Sequence, residues 1–291
     1  MTYTISKEAD KKIGEDIKVI NKIILKYWKP ETIILFGGFG HGEGSFKKVG
    51  RKIIPLNDYD LYIITMKSVS GEELEKIEEE CSKALGKGGK EIVENYGEKW
   101  EENKFFHVDI HNITYNKLKK LYPTQRTADL KTSLVVYGNK KILNQIPDIK
   151  ISKSDAIRLL FNKLDHFALA EKNSEMLRSI YAVKGFTDLC SALLIFYEKY
   201  ASTYKRRKEI FHKIDFPEEL KNFVKQATKA KLYEGYRVKN TEEFFKNSKK
   251  LVLWSLKKII KEHLKISSED WKIICKVMYQ KLPYIYFNDY L

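Results

Sequence analysis

The chain has 291 residues, of which 43% are hydrophobic and 32% charged. That is enough apolar material for two ordinary domains or one large one, and the charge is too moderate for a disordered chain. Net charge is +15. There is no apolar run long enough to span a bilayer, and the opening "MTYTISKEADKK" lacks the basic-then-apolar layout of a secretory signal. Cys81, Cys190 and Cys275 are far apart and form no CxxC pair, which argues against a disulfide framework or a zinc knuckle. The expectation is a soluble cytoplasmic protein.

In chain order, Ile13, Ile17, Ile20, Ile24 and Leu25 recur at three- and four-residue steps, which predicts an amphipathic helix over 7–28, ended by Pro30. "TIILF" then reads as a buried strand running into the glycine-rich "GGFGHGEGS". "FKKVGRKII" reads as an extra hairpin, and "DLYIIT" as a second core strand. Residues 70–85 suit a helix capped by Ser70, with Glu72 and Glu73 in its first turn, where the helix dipole favours them. "FFHVDIHNI", 105–113, is a third strand and "SLVVYG", 133–138, a fourth.

From residue 152 the texture changes. Ser152 can cap "KSDAIRLLFNKLDHFALAEKN", and helical patterns follow over 174–200, 217–230, 241–264 and 267–281. The boundary in "DIKIS" separates an α/β half, residues 1–150, from an all-helical half, residues 151–291. Charge divides along the same line. The first half carries 26 basic and 22 acidic residues, a net of +4, and the second 28 and 17, a net of +11. The asymmetry suits an anionic partner handled by the second half, either polyphosphate or nucleic acid. Abundant Lys, Ile and Glu also fit a lysine-rich genome or a hot habitat.

Two features of the first half bear on chemistry. Side chains alternate along a strand, so Asp58 and Asp60 of "NDYDLYIIT" share one face while Tyr59 and Leu61 take the other. Paired carboxylates repel unless a cation lies between them, and Mg²⁺ prefers such hard oxygen ligands. Asp109 in "HVDIH" supplies a third acid, with Val108 and Ile110 facing the opposite way. Gly37 and Gly38 directly follow the first strand, where bare backbone N–H groups can approach a phosphate. Neither the Walker loop nor the dinucleotide loop fits this glycine pattern. As a turn or cap acid after Asn57, Asp58 has an ordinary structural alternative.

Together "LFGG", "DYDLYII" and "HVDIH" resemble the polymerase β-like nucleotidyltransferase superfamily over residues 31 to about 140. The helical half makes the chain similar to the kanamycin and lincosamide nucleotidyltransferases. Gly38 and His41 stand where many relatives have Ser and Arg. The resemblance implies an α+β protein: a nucleotidyltransferase-fold mixed sheet with flanking helices, then an all-helical C-terminal domain. It implies Mg²⁺ on Asp58, Asp60 and Asp109, and a two-metal transfer of NMP from an NTP, with ATP or CTP favoured, to a small-molecule hydroxyl or phosphate. Gly37 and Gly38 then cradle the triphosphate, and by position Lys184 reaches its β- and γ-phosphates. Lys184 as one member of a charged helix face is the alternative.

Other residues border this proposal. His107 and His111 flank Asp109 on its face, to contact substrate or assist deprotonation, or simply to occupy the half-wet side of an edge strand. Glu43 either orients the acceptor or is a solvated loop acid. Arg207 and His212 in "RKEIFH" match the Arg-x4-His pattern of HEPN ribonucleases. The aromatic end "LPYIYFNDYL" is expected to pack on the core rather than stack on bases. Two further readings stay open: the same chemistry on an RNA 3′ end or a protein side chain, and a non-catalytic nucleotide-binding or toxin-partner module.

Overall fold

A computed structural model of the chain describes residues 1–86 and 108–281. His107, the first residues of the third expected strand and the aromatic end lie outside them. The chain divides into two compact units, Met1–Ile149 and Lys150–Leu291. The first is α+β with a mixed four-stranded sheet; the described part of the second is helical.

The first unit opens with α1 (Lys7–Tyr27), whose N-cap Ser6 accepts from the Ala9 N–H. Strand β1 (Thr32–Leu35) runs through the middle of the sheet and into a single helical turn, α2 (Gly37–Gly40). A two-stranded hairpin follows, β2 (Phe46–Val49) against β3 (Lys52–Pro55), as the sequence pattern predicted. Next come β4 (Tyr59–Thr65), α3 (Gly71–Ala84), β5 (Val108–Thr114), α4 (Gln125–Lys131) and β6 (Leu134–Gly138). The sheet order is β5-β4-β1-β6, with β4 and β5 parallel and both other pairings antiparallel.

Strand alternation sends residues to two cores. Ile33, Leu35, Tyr59, Leu61, Ile63, Val108 and Ile110 pack against the isoleucines of α1 and Ile77 and Cys81 of α3. Ile34, Tyr62, Ile64, Ile113 and Val135 face the other way, onto Leu118, Leu130, Ile142 and Ile146. Each isoleucine so buried contributes about 1.5–3 kcal/mol relative to exposure, so this division fixes which residues the sheet presents at its open end. Ser70 and Glu73 form the reciprocal capping box that starts α3. From that helix, Ser82 Oγ accepts from Val108 N–H (3.1 Å) and Glu78 Oε1 from Ile110 N–H (2.7 Å). Two outward donors at the start of β5 are thereby satisfied, which holds that part of the strand in place.

The second unit contains α5 (Lys153–Glu171), α6 (Glu175–Phe196), α7 (Tyr204–His212), α8 (Glu218–Tyr233), α9 (Thr241–Leu264) and α10 (Trp271–Lys281). Helix α6 is central and packs on α5, α7, α8 and α9. By length and composition it is apolar enough to cross a membrane, contrary to the reading of the sequence. However, 89% of its most apolar window is buried within the protein, as befits the core of a bundle. At Gly185 a Cβ would come within 2.4 Å of Ser248 Oγ on α9 and 2.7 Å of the Phe167 ring on α5, so glycine permits this close packing. The helix expected over 174–200 stops at Phe196; Glu198 turns left-handed (φ 58°) and Thr203 caps a new helix, α7.

Candidate active site

The parallel register of β4 and β5 pairs Asp60 with Asp109 and Tyr62 with His111. Alternation puts all four on the sheet face that carries Ile64 and Ile113, opposite to Tyr59, Leu61, Val108 and Ile110. Asp58 lies one residue ahead of β4 and two before Asp60, and both are half-exposed. The intervening Tyr59 anchors the start of the strand: its hydroxyl donates to the buried Asp16 carboxylate at 2.7 Å, and its ring stacks on Phe39 at 5.1 Å. Burial, then the nearby Asp16 charge, keeps this phenol protonated well beyond its usual range.

The glycine segment meets the acids directly. Phe36 N–H donates to the Asp60 carbonyl (2.8 Å), joining β1 to β4 at the point where the chain turns into α2. Gly37 is left-handed (φ 66°), and a Cβ there would lie 2.7 Å from Asp60 Oδ2. Any larger residue would therefore carry backbone strain and press on the carboxylate. His41 closes the turn, with Nδ1 2.9 Å from the Gly37 carbonyl and Nε2 3.1 Å from both the Asp129 carbonyl and Thr132 Oγ1. It ties the glycine turn to α4. Glu43, expected in a solvated loop or at the acceptor, is buried.

A cation that the sequence reading missed borders the pair. Arg126 of α4 lies over the rings of Tyr62 (5.5 Å) and Phe36 (6.0 Å), and its Nη2 donates to His111 Nε2 at 2.7 Å. A guanidinium only donates, so His111 Nε2 presents its lone pair there and holds no proton for Asp109 Oδ2, 3.5 Å away. The His111 ring also packs on Tyr62 at 5.0 Å. The Tyr62 phenol is pushed up by burial, drawn down by Arg126, and pushed up again by Asp60 and Asp109. Both carboxylates thus act on one buried hydroxyl. Nothing in "LYPTQRTADL" announces Arg126, because its role depends on packing against strands far away in sequence.

Carboxylate oxygens suit Mg²⁺, and Mg²⁺ commonly takes only one or two of them from the protein, completing its shell with water and phosphate. The Asp60–Asp109 pair fits that demand. Among the described residues, no three His, Cys, Asp or Glu side chains gather closely enough to hold a metal ion alone. The buried thiols of Cys81 and Cys190 are pushed up to about 12 by burial, which removes them as nucleophiles.

The helical unit has a polar centre of its own. On α6, Asp188 pairs with Lys163 of α5 at 2.8 Å. Burial on its own would raise the Asp188 pKa; Lys163, Arg207 and Lys231 together outweigh it and hold the carboxyl low. Lys231 is 3% exposed and donates to the Tyr236 hydroxyl at 2.8 Å, between the rings of Tyr204 (4.6 Å) and Tyr236 (5.0 Å). His166 stacks on Tyr181, and its pKa is lowered to about 3 by burial and then by Lys163 and Lys184. Lys184, one turn before Asp188, is therefore part of this centre, with its Nζ 5.9 Å from the Tyr181 ring. Arg207 is buried and donates to Ser191 Oγ and the Ser202 carbonyl. His212 Nδ1 meets the Lys208 carbonyl of its own helix. Five residues apart on α7, the two point about 140° apart around the axis, so the Arg-x4-His spacing does not bring them together.

No protein-family model matches the sequence, and no curated protein is similar enough to it to count as a match.

Proposed function

We propose that the protein is a Mg²⁺-dependent nucleotidyltransferase, moving NMP from an NTP to a hydroxyl or phosphate of a small-molecule acceptor. The observation that carries this reading is the register pairing of Asp60 with Asp109 beside the bare backbone of Gly37. Two carboxylates side by side on a sheet face repel each other, a cost that a divalent cation removes. The combination of a mixed sheet and a helical unit supports the nucleotidyltransferase fold at the level of architecture.

In this reading Asp60 and Asp109, with Asp58 beside them, hold the metal. When bound, Mg²⁺ supplies Lewis-acid activation of the acceptor oxygen and neutralises charge on the leaving pyrophosphate. Gly37 lets the triphosphate approach Asp60 without a Cβ in the way, whereas a Cβ on Gly38 would meet the Glu43 carbonyl and Gly44 at 3.3 Å, so its bareness serves the packing of the loop itself. The acceptor oxygen bonds to the α-phosphorus as the bond from that phosphorus to the pyrophosphate oxygen breaks. Asp109 receives the acceptor's proton. Arg126, over the rings of Phe36 and Tyr62, takes the lone pair of His111 Nε2, so that nitrogen has no proton to give the carboxylate beside it.

The test is pyrophosphate release from each of the four NTPs with Mg²⁺, water serving as acceptor when no other is present. It is paired with the melting shift given by a non-hydrolysable NTP with and without the metal. The expected result is a metal-dependent shift and slow release that EDTA stops. Absence of both for every NTP overturns the reading.

A further inference from the structure

Helix α9 buries one face and leaves an unusual residue on the other. Phe244, Phe245, Ser248, Val252, Ser255, Leu256, Ile259, Ile260 and Leu264 are taken up by the bundle. Outward, Lys246, Lys250, Trp254 and Lys258 follow at four-residue steps, a row about 18 Å long at 1.5 Å per residue. Trp254 is 43% exposed with Lys258 Nζ 5.2 Å from its ring, and on α10 Trp271 lies under Lys257 Nζ at 5.6 Å. Lys249, Lys257 and Lys261 are engaged by Glu171 and Glu269. Among the described residues, Lys246, Lys250 and Lys258 pair with no carboxylate.

Like charges one turn apart on a helix are destabilising, so the row has a cost unless an anion meets it. Its indole is set among ammonium groups. With the apolar face of α9 already buried, Leu253 and Trp254 are the large apolar residues it leaves exposed, too few for the broad apolar face that a membrane-surface helix requires. What remains is a backbone-neutralising row with an aromatic platform, the combination that binds single-stranded nucleic acid without reading its sequence. We propose that the outer face of α9 is a docking surface for single-stranded RNA or DNA. This surface is independent of the acid pair on the sheet.

The experiment uses the full chain and a short fluorescein-labelled oligouridylate, read by anisotropy and by quenching of tryptophan fluorescence. Binding is expected to weaken with salt at a log–log slope near −2, about −0.7 for each of three lysines. Lys246→Gln/Lys250→Gln/Lys258→Gln should abolish most of that slope, Trp254→Ala should lose about tenfold in affinity, and Trp254→Phe should keep affinity while losing most of the quench. All are exposed positions, and circular dichroism checks that each variant is folded. The proposal is overturned by any of four results: no binding at low salt, equal binding by the triple-glutamine variant, equal binding of inorganic polyphosphate, or preference for phosphatidylserine vesicles over the oligonucleotide.

Discussion

The two units handle charge in opposite ways. In the sheet unit, two acids stand half-exposed at the end of a parallel strand pair, placed by backbone register. In the helical unit, cations from α5, α7 and α8 converge on one carboxylate of α6, placed by side-chain packing. Register is a local, one-dimensional property, whereas convergence of helices is not. Disturbing the first should therefore alter chemistry with little effect on folding, and disturbing the second should alter the stability of the whole unit.

The largest effect tests the first half of that contrast. Asp60→Asn keeps the shape of the side chain but removes one of two charges facing each other across β4 and β5. Turnover is expected to fall about a thousandfold or more, since stabilising charge at a transferring phosphoryl group is worth several kcal/mol. Stability is expected to hold or rise slightly, because like-charge repulsion is relieved. Pyrophosphate release and urea denaturation, measured on one preparation, check both. A large drop in stability with activity intact would make Asp60 a structural acid.

The second effect belongs to the helical unit. His166 titrates near 6.5 when unfolded and at about 3 when folded, because burial and then Lys163 and Lys184 disfavour its charge. Below pH 6.5 the unfolded chain takes up a proton that the folded one refuses. Stability is therefore full above that pH and falls as pH drops, by up to about 1.4 kcal/mol per unit. The window from pH 6.5 to 5 lies above the ordinary range of carboxylates and isolates this term. His166→Gln should flatten the slope there in denaturant titrations. His263, lowered by burial and Lys153, leaves a remainder. An unchanged slope would mean that His166 is solvated, and the cationic centre with it.

This contrast also explains what could be read in the sequence. The Ser70 cap, the β2–β3 hairpin, and the opposition of Asp109 to Val108 and Ile110 follow from period-two alternation and local turn chemistry, and the structure has each. Helix α7 was invisible because the apolar pattern runs past Phe196 without a Gly or Pro to mark the break at Glu198. Arg126, Lys163 and Lys231 look like three lysine-rich-chain cations among 54. Only tertiary packing separates them from the solvated majority. Lys184 was singled out by position, and its neighbours Lys163 and His166 came to light only through the fold.

The smallest effect sharpens the role of register. Ser82 Oγ is the acceptor for Val108 N–H, immediately before Asp109 on the outer edge of β5. Ser82→Ala leaves that buried donor without its partner, at a cost of about 1–3 kcal/mol, and adds no charge. Glu78 still holds Ile110 N–H on the other side of Asp109, so the strand should stay in register. The expected outcome is a modest loss of stability in urea with Mg²⁺ affinity and turnover nearly unchanged. If metal affinity falls in step with stability, the position of Asp109 depends on how firmly α3 grips the edge, and side-chain packing governs the sheet site as it does the helical one.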